Sequence, residues 1–257
     1  MIKAVFLDFD GTVYSHNTGR IPGSTLSAIR RAREKGILVF LCTGRSKWEL
    51  KQFDITGLET DGMLLVNGQV VYDRDGNILF HHPIEGPLKE KIVSLYEKKE
   101  VPVYLVIPEE NIFNFVNDLM REVQNEVSSE IPPVKEYHEE PVYMASAFAE
   151  AEEMTELVKG LGEDAEVTWW SAGAIDILPK GVSKVAGIDE VLNHYGMKPS
   201  ETLAVGDGEN DLKMIEHCGI GIAMGNSVDC VKEAADYVTD DIDEGGLYNA
   251  FVRYGLI

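Results

Sequence analysis

The chain has 257 residues, room for one large domain or two modest ones, each with its own core. Its 23 basic and 44 acidic residues leave a net charge of −21, a field that repels polyanions and argues against nucleic acid as a partner. A small anionic ligand must be drawn in locally, by a metal, a lysine or helix N-termini.

The apolar share of 44% and charged share of 26% are those of an ordinary globular chain. Cys42, Cys218 and Cys230 lie too far apart for a short metal-ligand motif, and their odd number suits no disulfide framework. They read as reduced structural thiols of a cytoplasmic protein. The N-terminal run reads as a strand, not a signal peptide. No apolar stretch approaches the roughly 18 residues of a membrane span. Nothing in the pattern speaks to oligomeric state.

Residues 2–7 form an apolar run ending in carboxylates, as a buried parallel strand does. Residues 24–35 place Leu26, Ile29 and Ala32 on one face with Gly36 behind them, which predicts a capped helix. A strand at 37–42, a short helix at 46–53 and a strand at 63–66 come next, the alternation of a right-handed parallel sheet. Runs 69–72 and 78–80 flank Asp75-Gly76 and predict a hairpin. The next block reads helix 88–99, strand 101–107, helix 109–124, strand 142–148, helix 150–161 and a strand pair, 165–170 with 174–178. Acid- and proline-rich residues 128–140 read as an exposed loop. Of Trp169 and Trp170, on opposite strand faces, one is expected in a core. Alternation then returns with helices at 182–194, 211–217, 228–235 and 247–254 and strands at 202–205, 220–224 and 237–239. The expected fold is α/β: a Rossmann-like, doubly wound parallel-sheet core (1–83 and 179–257) with an α+β domain inserted at 84–178.

Four patches sit just beyond strand signals, where open α/β sheets bind ligands. In Asp8-Phe9-Asp10-Gly11-Thr12, period-two geometry would set Asp8 and Asp10 side by side, inviting a hard cation or a shared proton. Gly11 permits a sharp turn and lets backbone N–H groups approach an anion. Thr43-Gly44-Arg45 offers a hydroxyl and free N–H groups to phosphate, although a plain helix cap reads equally well here. Lys180-Gly181-Val182-Ser183-Lys184 puts lysines at a helix start, against the macrodipole, which suggests a nearby anion; a solvated lysine is the alternative. Gly206-Asp207-Gly208-Glu209-Asn210-Asp211 is an oxygen-rich loop of the kind Mg²⁺ prefers, or else a turn.

In order and spacing, these patches resemble the haloacid dehalogenase-like phosphohydrolases, and within them the Cof-type sugar phosphatases with a C2B-type cap; Gly225-Asn226 matches their usual ending. The resemblance implies that Asp8 attacks phosphorus and that Asp10 is general acid and then general base. It implies Mg²⁺ held by the Asp8 carboxylate, the Asp10 carbonyl and Asp207, with Asp211 and Asn210 ordering that shell. Gly11, Thr12, Thr43, Gly44, Arg45, Lys184 and Asn210 fall among the phosphate-binding positions, and Asn67 near the substrate. A carboxylate at Asp10 argues against dehalogenation, because halide leaves without a proton and an alkoxide does not. The inserted block becomes the substrate-choosing cap. The expected reaction is hydrolysis of a small phosphorylated metabolite through an aspartyl-phosphate. A phosphosugar mutase and a retired binding protein on the same scaffold are the alternatives.

Overall fold

The computed structural model describes residues 1–126 and 130–257, without the side chains of Glu126 and Trp170. It begins β1 (Ala4–Leu7), α1 (Gly23–Glu34), β2 (Leu38–Cys42), α2 (Lys47–Leu50), β3 (Gly62–Leu65), β4 (Val70–Asp73) and β5 (Ile78–His81). Next come α3 (Gly86–Lys98), β6 (Val103–Val106), β7 (Asn111–Phe113), α4 (Asp118–Glu126), β8 (Met144–Phe148), α5 (Ala151–Leu161), β9 (Ala165–Ser171) and β10 (Ala174–Pro179). The chain continues with α6 (Lys184–Tyr195), β11 (Thr202–Gly206), α7 (Leu212–His217), β12 (Ile220–Ala223), α8 (Asp229–Ala234), β13 (Tyr237–Val238) and α9 (Gly246–Arg253). These elements form two units: Met1–Arg45, Phe53–His81 and Ser183–Ile257 in the first, Ser46–Gln52 and His82–Val182 in the second.

The first unit is an α/β sandwich around a sheet ordered β13-β12-β11-β1-β2-β3-β4-β5. Pairing is parallel from β13 to β3 and antiparallel for the β4–β5 hairpin. β1 is apolar on both faces because helices cover both. Ala4 and Phe6 pack with Ile188 of α6, Met214 of α7 and Val231 of α8. Val5 and Leu7, equally buried, point the other way. α1 and α9 lie together, tied by Arg31 donating to the Tyr248 hydroxyl at 2.6 Å. Phe6 stacks on Phe40 at 5.4 Å, and burying each ring contributes roughly 1.5–3 kcal/mol. The strand order reverses between β1 and β11, the switch point at which such sheets open a crevice.

The second unit has a sheet ordered β7-β6-β8-β10-β9, antiparallel throughout. Val103, Leu105, Ala145, Ala147, Ile175 and Ile177 alternate inward against Leu88 and Ile92 of α3 and Met154 of α5. The other face is partly polar: Ser146 donates to Asp176 at 2.6 Å, and Asn111 donates to Ser46 at 3.0 Å. That last bond, with the Lys47–Glu109 ion pair at 3.0 Å, explains why Ser46–Gln52 groups here, apart from its neighbours in sequence.

The helix expected at 109–124 is instead strand β7 followed by the shorter α4. Ile112 and Phe113 lie on opposite faces of β7, a two-residue period mistaken for a helical one. Asn114 then stops the strand, its buried side chain bonding the backbone at Tyr96, Val101, Val103 and Phe115. The start of the loop expected at 128–140 lies outside the described residues; Val134 in its remainder bridges to Phe113. Trp169 is half exposed, and the side chain of Trp170 lies outside the described residues.

Candidate active site

The site belongs to the first unit. β1 and β11 are in register, Leu7 beside Val205, so both strands end at the same level. Asp8 comes directly after β1, its N–H donating to Val205 at 3.0 Å, and Asp207 directly after β11. Lys184 opens α6, and its side chain is only 1% exposed. Its Nζ donates to Asp8 Oδ1 at 2.5 Å and to Asp211 Oδ1 at 2.6 Å. The other Asp211 oxygen accepts from the Asp207 and Gly208 N–H groups at 2.9 and 3.0 Å. Oxygens of Asp8, Asp207 and Asp211 lie within 4.8 Å of one another.

Three carboxylates thus face one ammonium in a largely buried cluster. Burial, then the charge of Asp211, pushes Asp8 well above the usual carboxylate range, with Lys184 pulling against both. Asp207 is pushed to about 6, by burial first and then by Asp211, although a bond from Thr12 opposes this. Burial would lower the Lys184 ammonium, but Asp211 and Asp8 outweigh it and hold it above its ordinary value. The excess negative charge and the hard oxygen donors fit a divalent cation, which Asp8 and Asp207 are free to hold. Asp211, with both oxygens engaged, serves better to fix Lys184 and the loop.

Glycine is required at position 11. Its φ is +76°, and a side chain there would strike the Asp207 carboxylate. Thr12 donates to Asp207 Oδ1 at 2.7 Å. Thr43 is buried beyond β2, its Oγ1 accepting from the Arg45 N–H at 3.1 Å. Val66 and Asn67, just past β3, are in left-handed conformation, with φ of 52° and 54°. The Asn67 Oδ1 is buried without a hydrogen-bond partner among the described residues, and it lies over Gly44, where a Cβ would stand 3.3 Å away. Asn210 is exposed on the 3-10 turn Glu209–Asp211.

Asp10 and Arg45 meet at the edge of the site. The Asp10 carboxylate is not in the Asp8–Asp207–Asp211 group. The two-residue alternation stops with β1 at Leu7, and Asp10 lies in a turn bridged to Tyr14. Arg45 forks onto Asp10, Nε to Oδ2 at 2.7 Å and Nη2 to Oδ1 at 2.8 Å. Two further residues fall outside the expected site residues. His16 Nε2 meets Asp10 Oδ1 at 2.7 Å, and a ring in a short loop carries almost no signal. Asn226 ties the Gly11 carbonyl at 2.8 Å to the Ile242 N–H at 3.1 Å, and its place in the Gly225-Asn226 pair was the available sign. Burial pushes the Cys42 thiol far up, in keeping with a packing role.

The sequence model of haloacid dehalogenase-like hydrolases matches residues 5–251. The chain belongs to this family. Its fold and motifs place it among the Cof-type haloacid dehalogenase-like hydrolases. A Bacillus subtilis relative, YkrA, provisionally assigned as a phosphatase, is 30% identical over 99% of this chain and 98% of its own length. A Streptococcus pyogenes protein, provisionally assigned as a bifunctional phosphatase and peptidyl-prolyl cis-trans isomerase, is 30% identical over 100% of this chain; the chain spans about half of it, 54%. A solved HAD subclass IIB sugar phosphatase is 33% identical, with a TM-score of 0.81, over 99% of this chain and 100% of that one. These names support the phosphoric monoester hydrolase class for this member of the family. Among the described residues no helix is long and apolar enough to cross a membrane.

Proposed function

We propose that the protein is a Mg²⁺-dependent phosphatase that hydrolyses small phosphate monoesters, sugar phosphates foremost, through an aspartyl-phosphate on Asp8. The carrying observation is the buried array in which Lys184 bridges Asp8 and Asp211 beside Asp207. A phosphate dianion is repelled by a carboxylate nucleophile, and a cationic side chain at the attacking oxygen offsets that repulsion. Asp8 Oδ attacks phosphorus, and Asp10 protonates the departing alkoxide and then takes a proton from the water that frees the phosphate. Thr43, Gly11 and Thr12 line the phosphate, and the unpartnered Asn67 Oδ1 suits a donor on the substrate. Asp8, Asp207 and the Asp10 carbonyl would hold Mg²⁺, which supplies the remaining positive charge. The unit built on His82–Val182 is, in this reading, the cap that selects the ester. A cytoplasmic setting suits its three free cysteines.

The test is a panel of phosphate monoesters assayed with Mg²⁺ and again with chelator. Steady release of inorganic phosphate, lost on chelation, is expected. Transfer between positions of a sugar without release would favour a mutase, and inertness across the panel would refute the proposal.

The raised Asp207 carries a pH signature. Its folded value of about 6 exceeds the ordinary 3.8, so in metal-free protein its contribution to stability is full below pH 3.8 and is lost as pH rises through 6. Protons and cation compete for this carboxylate. The rise in Tm produced by saturating Mg²⁺ should therefore be larger at pH 7.5 than at pH 5. An equal rise at both would contradict the assignment.

A further inference from the structure

Around Asp10 the first unit holds an assembly that the phosphatase scheme does not use. The chain leaving β1 folds back on itself: Val13 and Tyr14 N–H groups both donate to the Phe9 carbonyl, at 2.9 and 2.7 Å. Ser15 and Arg20 then pair as a short bridge, with Ser15 N–H donating at 3.0 Å. This closed loop brings His16 back to the carboxylate of Asp10. Arg45, arriving from beyond β2, grips the same carboxylate.

Both grips rest on one ring. The Arg45 guanidinium lies 4.3 Å over Phe53, and the His16 ring is 6.2 Å from it. Phe53 is itself wedged edge-on against Tyr14 at 4.9 Å and Phe9 at 5.3 Å. The charged groups are roughly a quarter to a half exposed, so their attraction is screened and adds little to stability. What the arrangement does fix is direction. With any proton on Oδ2, Oδ1 only accepts, so His16 Nε2 carries the hydrogen it shares with Oδ1. Oδ1 takes two donors, from His16 and Arg45, and Oδ2 takes one. Oδ2 therefore keeps the open lone pair.

We propose that His16 is a positioning residue which, with Arg45, orients Asp10 so that Oδ2 is the oxygen that exchanges protons with the substrate. This rests on the acid–base role of Asp10 given above. In the first half-reaction the Oδ2–H proton passes to the leaving oxygen as the ester P–O bond breaks. In the second a water proton passes to Oδ2 as the water oxygen bonds to phosphorus and the Asp8–phosphorus link breaks. The carboxyl group ends as it began.

The test compares His16→Ala, His16→Gln and Asp10→Asn on glycerol phosphate, whose leaving group needs a proton, and on p-nitrophenyl phosphate, whose leaving group does not. His16→Ala should lower kcat on glycerol phosphate by about 10-fold with KM changed less than about 2-fold, a part of what acid–base catalysis supplies. On p-nitrophenyl phosphate only the second half-reaction should slow, so more acid-trapped phosphoenzyme should accumulate. His16→Gln keeps an N–H donor and should recover most of the kcat. Full kcat in His16→Ala on both esters, or a loss confined to KM, or one that glutamine fails to recover, would overturn the proposal if Asp10→Asn is inactive. An active Asp10→Asn would overturn the acid–base reading itself.

Discussion

Asp8→Asn is expected to abolish phosphate release, by ~10⁴-fold or more, while leaving the protein folded. The amide keeps the size of the carboxylate and an oxygen for Lys184, but it offers no anionic nucleophile. Stability should hold or rise. Burial and the charge of Asp211 already push Asp8 well above the usual range, so its negative charge is costly and a neutral replacement relieves it. Turnover of p-nitrophenyl phosphate and the Tm, measured together, check both halves. Activity near that of the parent would remove Asp8 as nucleophile. A collapsed Tm with no activity would be repeated with Asp8→Glu, which retains the charge but displaces it.

Lys184→Met should carry the second-largest effect, and on two observables at once. Methionine fills similar volume, yet the buried carboxylates of Asp8 and Asp211 lose their shared cation. Breaking one side of a buried ion pair costs about 3–5 kcal/mol. Transition-state charge on the phosphoryl group also loses its donor, a further loss of about 100- to 1,000-fold in kcat. The two effects respond differently to conditions. Acidification should narrow the gap in Tm between variant and parent, because a protonated carboxyl needs no counter-charge. Added Mg²⁺ should narrow it too. A variant as stable and as active as the parent would show that Lys184 is an incidental core lysine.

Much of the architecture was legible because parallel strands announce themselves as short, wholly apolar runs. Residues 2–7 and 37–42 each bracket an observed strand and 202–205 falls inside one, and the loop leaving a parallel strand must emerge at one end of the sheet. This is how Asp8, Thr43 and Asp207, far apart in sequence, could be read as neighbours. Side-chain direction beyond the strand end was not legible. Period-two geometry lapses after Leu7, so the pairing of Asp10 with Arg45 and His16 depends on how the loop after β1 closes. The misread β7 has a related cause: three residues with one polar neighbour are too few to separate the two periods, and Asn114 settles the matter through bonds to backbone distant in sequence.

The bare contact between Gly68 and α6 has a consequence for the reach of Lys184. Gly68 lies against the backbone of Ser183, Lys184 and Gly187, and a Cβ on Gly187 would stand 2.8 Å from the Gly68 Cα. These two glycines act as a spacer of zero thickness, seating the helix start so that a long cationic arm, extended from its base, arrives at Asp8. Thickening that spacer by one methyl group would draw the arm back and detune the charge balance of the pocket from a place that holds no charge of its own.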